Sequence, residues 1–263
     1  MGECGNPLKA VAPSDGKRRR ECPRSGISGL ESLKVVKMIV GNGLLANAFY
    51  QYFSENEEVI IFAAGVSNSQ EISADKFFRE ENLLRENLKK NKRIVYFSTC
   101  SIGDITVSGS PYVVHKVKME EVIKCNSTNY LIFRLPQLVG LTENPNTLIN
   151  FIFNSIRTNR EIKIFESAKR NILDVKDAAK IATVIIKNGY LCKTINIANI
   201  ESISPLEILK IFEKILQVKA KYKMIPGGSF YEIDATLCHE VASSIFIDFS
   251  NDYVENTIRK YYK

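Results

Sequence analysis

Tyr112 and Lys116 stand four residues apart in Pro111-Tyr112-Val113-Val114-His115-Lys116, and no other of the eleven tyrosines has a lysine at that spacing. On a helix, positions i and i+4 face the same way. An ammonium beside a phenol favours the phenolate and draws the phenol pKa down. A phenol tuned that way can pass a proton to or from a carbinol oxygen while hydride moves to or from a nicotinamide. Thr99, at the mouth of the preceding apolar run, offers a hydroxyl to the same oxygen. A Tyr/Lys pair is also an ordinary exposed helical face. Its place, after a Ser98-Thr99 strand end and directly behind a proline, favours the chemical reading.

A second chemical feature lies upstream. Val35-Val36-Lys37-Met38-Ile39-Val40 is a short apolar run that runs straight into Gly41-Asn42-Gly43-Leu44-Leu45-Ala46. A strand, a G-x-G-x-x-A turn and a helix meet the mechanical needs of a dinucleotide pyrophosphate. The glycines allow a tight turn and close backbone approach, and the helix start offers free N–H groups with partial positive charge. Similar turns occur in α/β proteins that bind no dinucleotide. The acidic residue that would bind a ribose about 20 residues on, at the end of the second strand, is missing. Ala63-Ala64-Gly65 stand there, with no basic residue for a 2′-phosphate, so the choice between NAD and NADP stays open.

The elements that must position these residues follow from periodicity. Val59–Phe62, Arg93–Phe97 and Tyr130–Phe133 read as buried strands, with shorter strands at 162–164 and 194–197. Helices are expected after the glycine turn (Leu45, Phe49 and Tyr52/Phe53 on one face), over about 75–90 (with Phe78, Leu84 and Leu88 apolar), from Pro111 to about 125, at about 147–158, from Asp177 to 186, from Pro205 to about 216, and around 250–262. Proline is tolerated in the first turn of a helix. Apolar strands alternating with helices imply an α/β fold, a doubly wound parallel sheet with helices on both faces. Ligands in such sheets bind at the carboxyl ends of the strands, beside the switch point. Gly41–Ala46, Ala63–Gly65 and Ser98–Ser101 fall there.

Composition agrees with one sizeable core. The chain has 263 residues, 45% apolar and 25% charged, which excludes wholesale disorder and collagen-like repeats. No apolar run approaches a membrane span. The six cysteines, at 4, 22, 100, 125, 192 and 238, contain no C-x-x-C pair and meet only two histidines. That argues against a metal site and for a reducing, cytoplasmic compartment. The net charge of +7 includes +3 from residues 1–34, which carry Lys17-Arg18-Arg19-Arg20 in a Gly/Pro/Ser-rich stretch. We read 1–34 as a disordered leader or start-site artefact, without a nucleic-acid role, and 35–263 as the folded domain.

These residues together resemble the extended short-chain dehydrogenase/reductase family, in its nucleotide-sugar epimerase, dehydratase and reductase branch. Val40–Ala46 resembles the nucleotide turn, with Val40 and Ala46 where glycines are usual. Val59–Ala64 resembles "VIHLAA", Tyr96–Thr99 the strand ending in the catalytic Ser/Thr, and Pro111–Lys116 "PYxxSK". Phe133–Gly140 resembles "RxxNvyG" with Gln137 for Asn, Arg170–Ala179 "RDfihVdDva", and Thr194–Ala198 "vyNig". The resemblance implies a Rossmann-like fold with a small substrate lobe formed mainly from about 140–170 and 200–263. It implies catalytic Thr99, Tyr112 and Lys116. It places NAD or NADP on Gly41, Asn42, Gly43, Leu44, Leu45, Ala63, Ala64, Gly65, Ser98, Lys116, Leu135 and Gln137. A nucleotide sugar would meet Cys100, Ser101, Gln137 and Arg170. The implied reaction is hydride exchange at a sugar carbinol or ketone carbon, C4, in surface-polysaccharide biosynthesis, by a 4-ketoreductase or epimerase. Homodimers pairing through two long helices, here about 75–90 and 111–125, are usual in such families.

Three departures carry their own expectations. The "VIHLAA"-like strand follows the glycine turn after about 18 residues, where the family inserts two more strands and a helix, so the usual second and third strands should be lacking. That edge holds the adenosine half, and its loss also suits a non-catalytic dinucleotide- or nucleotide-sugar-binding member. Cys100 and Ser101 replace the Asp-Glu of dehydratases, which argues against dehydration. Only 13 positions separate Thr99 from Tyr112, so the pocket should be more open. Cys100 reads as a packing cysteine, His115 as a helix-surface substitution, and His239 as surface or structural.

Overall fold

Val59–Phe62 (β2), Arg93–Thr99 (β3) and Tyr130–Leu135 (β4) are the continuous apolar runs of the sequence, and each is buried on both sides. They form the middle of a five-stranded parallel sheet with Ile39–Val40 (β1) at one edge and Lys193–Asn196 (β8) at the other, in the order β1-β2-β3-β4-β8. The structure is a computed structural model, and it describes residues 38–263. The leader expected over 1–34 lies outside the described residues, as does the start of the first strand at 35–37.

Helices cover both faces. Leu44–Phe53 (α1) and Val175–Lys187 (α5) pack on one, where Phe49 and Phe53 meet Ile61, Val95 and Phe133. Ala74–Leu88 (α2) and Pro111–Asn126 (α3) pack on the other, where Leu84, Met119 and Ile123 meet Ile60, Ile94, Tyr96 and Ile132. Burying a side chain such as Phe49 contributes about 2–3 kcal/mol. Of the apolar positions of α2, Phe78 points away from the sheet and is 66% exposed, while Leu84 faces inward.

The alternating faces fix the hand of the connections. The links through α2 and α3 run over one face, and the link β1–α1–β2 runs over the opposite face in the same direction across the sheet. It therefore has the opposite hand. The strand order never reverses, so the expected switch point is not present among the described strands. No described strand lies outside β1.

The remainder of the described chain builds smaller sheets beside this one. Gln137–Val139 (β5), Arg170–Asp174 (β7) and Ser202–Ile203 (β9) form one, and Ile162–Phe165 (β6) with Tyr222–Ile225 (β10) form another. Leu148–Arg157 (α4), Pro205–Leu216 (α6) and Tyr253–Tyr261 (α8) join around Phe153, Phe212 and Tyr262, whose ring centres lie 5.0–5.6 Å apart. Thr236–Ser244 (α7), β5, β7, β9 and β10 were not foreseen as elements. α5 starts at Val175, two residues before Asp177, because Asp174 caps it by accepting the Lys176 N–H at 2.8 Å.

Candidate active site

The glycine turn is built as its sequence demands. Gly41 has φ +123°, and a Cβ there would lie 2.6 Å from the Ala63 carbonyl oxygen. Only glycine fits so tight an approach to β2 in that backbone region. Gly43 caps α1 with no side-chain hydrogen bond, no acidic residue follows in the first turn, and a Cβ on Gly43 would meet nothing within 4 Å. The first N–H groups of α1, which have no partner within the helix, are thus open toward Asn42 and Gly43, both exposed. Ala46 is buried against the sheet, and Leu44 packs where Gly140 leaves room beside Val175. At the end of β3, the Ser98 hydroxyl is buried without a partner among the described residues. A dinucleotide pyrophosphate fits the open turn, and the unpartnered Ser98 hydroxyl suits a polar ligand group. No described strand lies outside β1 on the side where an adenosine would stand.

Thr99 ends β3 and caps a short 3-10 helix, Cys100–Gly103, accepting the Ser101 N–H at 3.1 Å. Ser110 caps α3 by accepting the Val113 N–H at 3.3 Å, and Pro111 takes the first turn. This sets Tyr112 one residue inside the helix, facing Thr99. Burial pushes the Tyr112 phenol well above its ordinary value; the Thr99 hydroxyl works the other way, and the Glu80 carboxylate adds to the rise.

Lys116 does not do what the spacing suggested. Its Nζ lies 5.9 Å from the Tyr112 ring centre and is bonded instead to Glu80 Oε1 and the Tyr96 hydroxyl, both at 3.0 Å. The expected lowering of the Tyr112 pKa by this lysine is therefore corrected: its charge is already matched by Glu80. The other carboxylate oxygen of Glu80 takes the Val66 N–H at 2.6 Å and faces His115 Nε2 at 3.0 Å. Burial alone would raise the Glu80 carboxyl, but the Lys116 charge and these hydrogen bonds hold it far below the usual carboxylate range. His115 is buried, stacked on Phe77 at 4.6 Å, and is not the surface substitution the sequence suggested.

A cavity of about 320 Å³ opens above Thr99 and Tyr112. Ser101, Gln137 and Arg170 also line it, so five of the anticipated site residues share one wall system. The glycine turn, Ala63–Gly65, Ser98, Lys116 and Leu135 lie off that wall. Cys100 does too: its thiol donates to the Arg134 carbonyl at 3.3 Å, and burial pushes its pKa up to about 12. That is the packing role expected of it, in place of substrate contact.

The cavity also has residues that sequence patterns did not reveal. Glu71 and Gln70 come from the loop before α2, and Tyr231 and Ile233 from the loop before α7. Asp104 ties that last loop down, accepting the Ser229 hydroxyl at 2.6 Å, and Arg170 donates to the Ser229 carbonyl at 3.0 Å. The Gly227-Gly228 pair, both at positive φ, was the only local hint of the turn that brings this loop over.

Comparison with known proteins fits this architecture. The model described as NAD dependent epimerase/dehydratase family matches residues 17–198. Among solved structures, UDP-glucose 4-epimerase of Thermus thermophilus, in complex with NAD, is similar at 12% identity and TM-score 0.60, over 82% of this chain and 79% of that one. RMD of Pseudomonas aeruginosa, complexed with NADPH, is similar at 13% identity and TM-score 0.61, over 81% and 82%. UDP-glucuronic acid 4-epimerase of Bacillus cereus, with UDP-glucuronic acid and NAD, is similar at 16% identity and TM-score 0.61, over 82% and 76%. No curated protein matches.

Proposed function

The chain belongs to the NAD dependent epimerase/dehydratase family, and from that premise we propose that it is an NAD(P)-dependent oxidoreductase or epimerase acting on a nucleotide-activated sugar. The change would fall at a sugar carbinol or ketone carbon, C4, in surface-polysaccharide biosynthesis in the cytoplasm. The observation that carries this reading is the shared cavity: Thr99 and Tyr112 on one side, Gln137 and Arg170 on the same lining. A sugar oxygen set between the two hydroxyls has both a proton carrier and an orienting group, as acid–base chemistry at a carbonyl requires. Arg170 supplies a cation to a phosphorylated ligand.

Gly41, Asn42, Gly43, Leu44 and Leu45 would hold the pyrophosphate, and Ala63, Ala64 and Gly65 the adjoining strand end. Ser98, Leu135, Gln137 and Lys116 would border the nicotinamide half. Bound there, the dinucleotide supplies hydride chemistry. Ser101 and Arg170 would orient the sugar nucleotide, while Tyr112 holds or yields the proton on its Oη. Exposed Phe78, Val114 and Val117 on α2 and α3 support a homodimer paired through those helices.

The test is Tyr112→Phe. Dinucleotide binding should stay nearly intact, while turnover on nucleotide sugars falls by about 10²–10⁴-fold, the usual share of a positioned proton carrier. Unchanged turnover sinks the assignment. One observation favours a second reading, a non-catalytic binding protein: no described strand lies outside β1, where the family's adenosine-binding edge would stand. Fluorescence titration with NADH and NADPH separates the two, since failure of both to bind at millimolar concentration would favour the second.

A further inference from the structure

Glu80 is the most completely enclosed charged group of the described protein that the proposed chemistry does not use. It projects from α2 with a fully buried side chain and receives four donors: the Val66 N–H, His115, the Tyr96 hydroxyl and Lys116. The carboxylate is thereby saturated, and the Lys116 ammonium is held on it by two hydrogen bonds, one direct and one through the Tyr96 hydroxyl. The backbone has been shaped to admit this pair: a Cβ on Gly65 would lie 2.7 Å from Lys116 Nζ and 2.8 Å from Glu80 Oε1.

We propose that Glu80 is a positioning residue that holds Lys116 and cancels its charge, so that Tyr112 stands as a protonated phenol, a proton donor to a carbonyl oxygen rather than a base toward an alcohol. This rests on the reading of Tyr112 as the proton carrier and sharpens it toward the reductive direction. The groups that face Tyr112 agree. Thr99 from β3 is a neutral hydroxyl, and Tyr231 from the loop before α7 is a phenol. Cys100 is a buried thiol, and Glu80 is an anion. Among the described residues Lys116 is the one cation over the ring, already paired, and Glu71, Asp104 and Arg170 line the same cavity as Tyr112. Burial and the Glu80 field push the phenol up together. Around Glu80 itself stand Lys116, His115 and Tyr96, with no second carboxylate among its hydrogen-bonding partners.

The test needs no turnover. Tyrosine labelled with ¹³C at Cζ reports phenol ionisation by its chemical shift, and Tyr112→Phe identifies the Tyr112 signal. In the full chain, the Tyr112 shift should stay flat from pH 7 to about pH 10.5, whereas a midpoint below 10 would overturn the proposal. Glu80→Gln leaves the Lys116 charge uncancelled. An opposite charge within about 4–6 Å lowers a phenol pKa by roughly 1–3, so with the series carried on to about pH 12 the Tyr112 signal of Glu80→Gln should begin to move at least about one pH unit before that of the natural chain. An onset in folded Glu80→Gln no earlier than in the natural chain would also overturn it. Should that variant fail to fold, Glu80→Gln/Lys116→Met removes both charges with little change of shape. The proposal expects its Tyr112 signal to stay flat as in the natural chain; a titration below pH 10 in the double variant counts against it. These outcomes concern Glu80 alone. Turnover of Tyr112→Phe tests the parent reading separately.

Discussion

Gly65→Ala asks whether that glycine serves the buried ion pair or only a bound cofactor. The added methyl would sit 2.7 Å from Lys116 Nζ and 2.8 Å from Glu80 Oε1, well inside van der Waals contact. Neither atom is free to swing away, because each holds the other at 3.0 Å and Tyr96, His115 and the Val66 N–H hold Glu80. Overpacking a close-packed interior costs about 1–3 kcal/mol. Gly65 does not have a positive φ, so alanine gains about 0.4–1 kcal/mol from a less disordered unfolded chain. Taking the middle of each range, the net loss should be roughly 1.3 kcal/mol. For a domain of this size that lowers Tm by roughly 3–5 °C. Urea unfolding of the ligand-free protein reads it, with an unchanged m-value showing that the folded state is intact. In a Glu80→Gln/Lys116→Met background the ammonium nitrogen is gone and the amide can turn, so the loss should fall to less than half. A Gly65→Ala protein as stable as the natural chain, or an equal loss in both backgrounds, would refute the idea that the glycine makes room for the pair.

Further outcomes follow from other buried groups. Burial pushes Cys100 up to about 12 and Cys238 up to about 11, while Cys125 and Cys192 are exposed. Iodoacetamide at pH 8 should label the exposed pair and spare the buried pair, and peptide mass spectrometry showing Cys100 modified as fast as Cys125 would contradict this. Asp174→Ala removes the cap of α5 at 2.8 Å, the acceptor of the Tyr261 hydroxyl at 2.9 Å and the partner of Lys260 at 2.5 Å. Urea unfolding should show a loss of about 2–4 kcal/mol, and a loss below 1 kcal/mol would contradict this. Glu80 lies below the ordinary carboxylate value of 4.5 when folded. The stability it adds should be complete above that pH and shrink as pH falls below it. The gap in unfolding free energy between the natural chain and Glu80→Gln should follow that course, and a gap that widens below pH 4.5 would contradict it.

The parts legible in the sequence were those set by short-range pattern. β2, β3 and β4 are continuous apolar runs, and Ser110 with Pro111 marks the start of α3. Thr99 and Tyr112 could be paired from those boundaries alone. β5 and β9, of three and two residues, are too short for any period to show. The Tyr231 wall depends on a hydrogen bond between Ser229 and Asp104, 125 residues apart. The choice of partner for Lys116 is similar: Glu80 is 36 residues away on another helix. A signal existed, because Glu80 falls in the inward stripe Phe77, Glu80, Leu84, Asn87 of α2. A carboxylate in such a stripe demands a buried cation, and Lys116 on α3 meets that demand.

The hand of the first connection bears on what the glycine turn can still bind. Parallel crossovers are right-handed in the great majority of proteins, since a twisted strand and its helix pack back onto the sheet that way. Here the links through α2 and α3 agree with each other and β1–α1–β2 opposes them. The same α1 position would give the common hand if the chain next formed a strand on the far side of β1. α1 is held where it is by side chains: Phe49 meets Phe97 with ring centres 5.1 Å apart, and Leu44 fills the space over Gly140 beside Val175. Those contacts outweigh the crossover preference, and they fix the N-terminus of α1 at the end of β1 whatever lies outside that strand. The turn that can receive a pyrophosphate is thus independent of the edge that would receive an adenosine. Its geometry rests on these contacts of α1 and on no described strand outside β1.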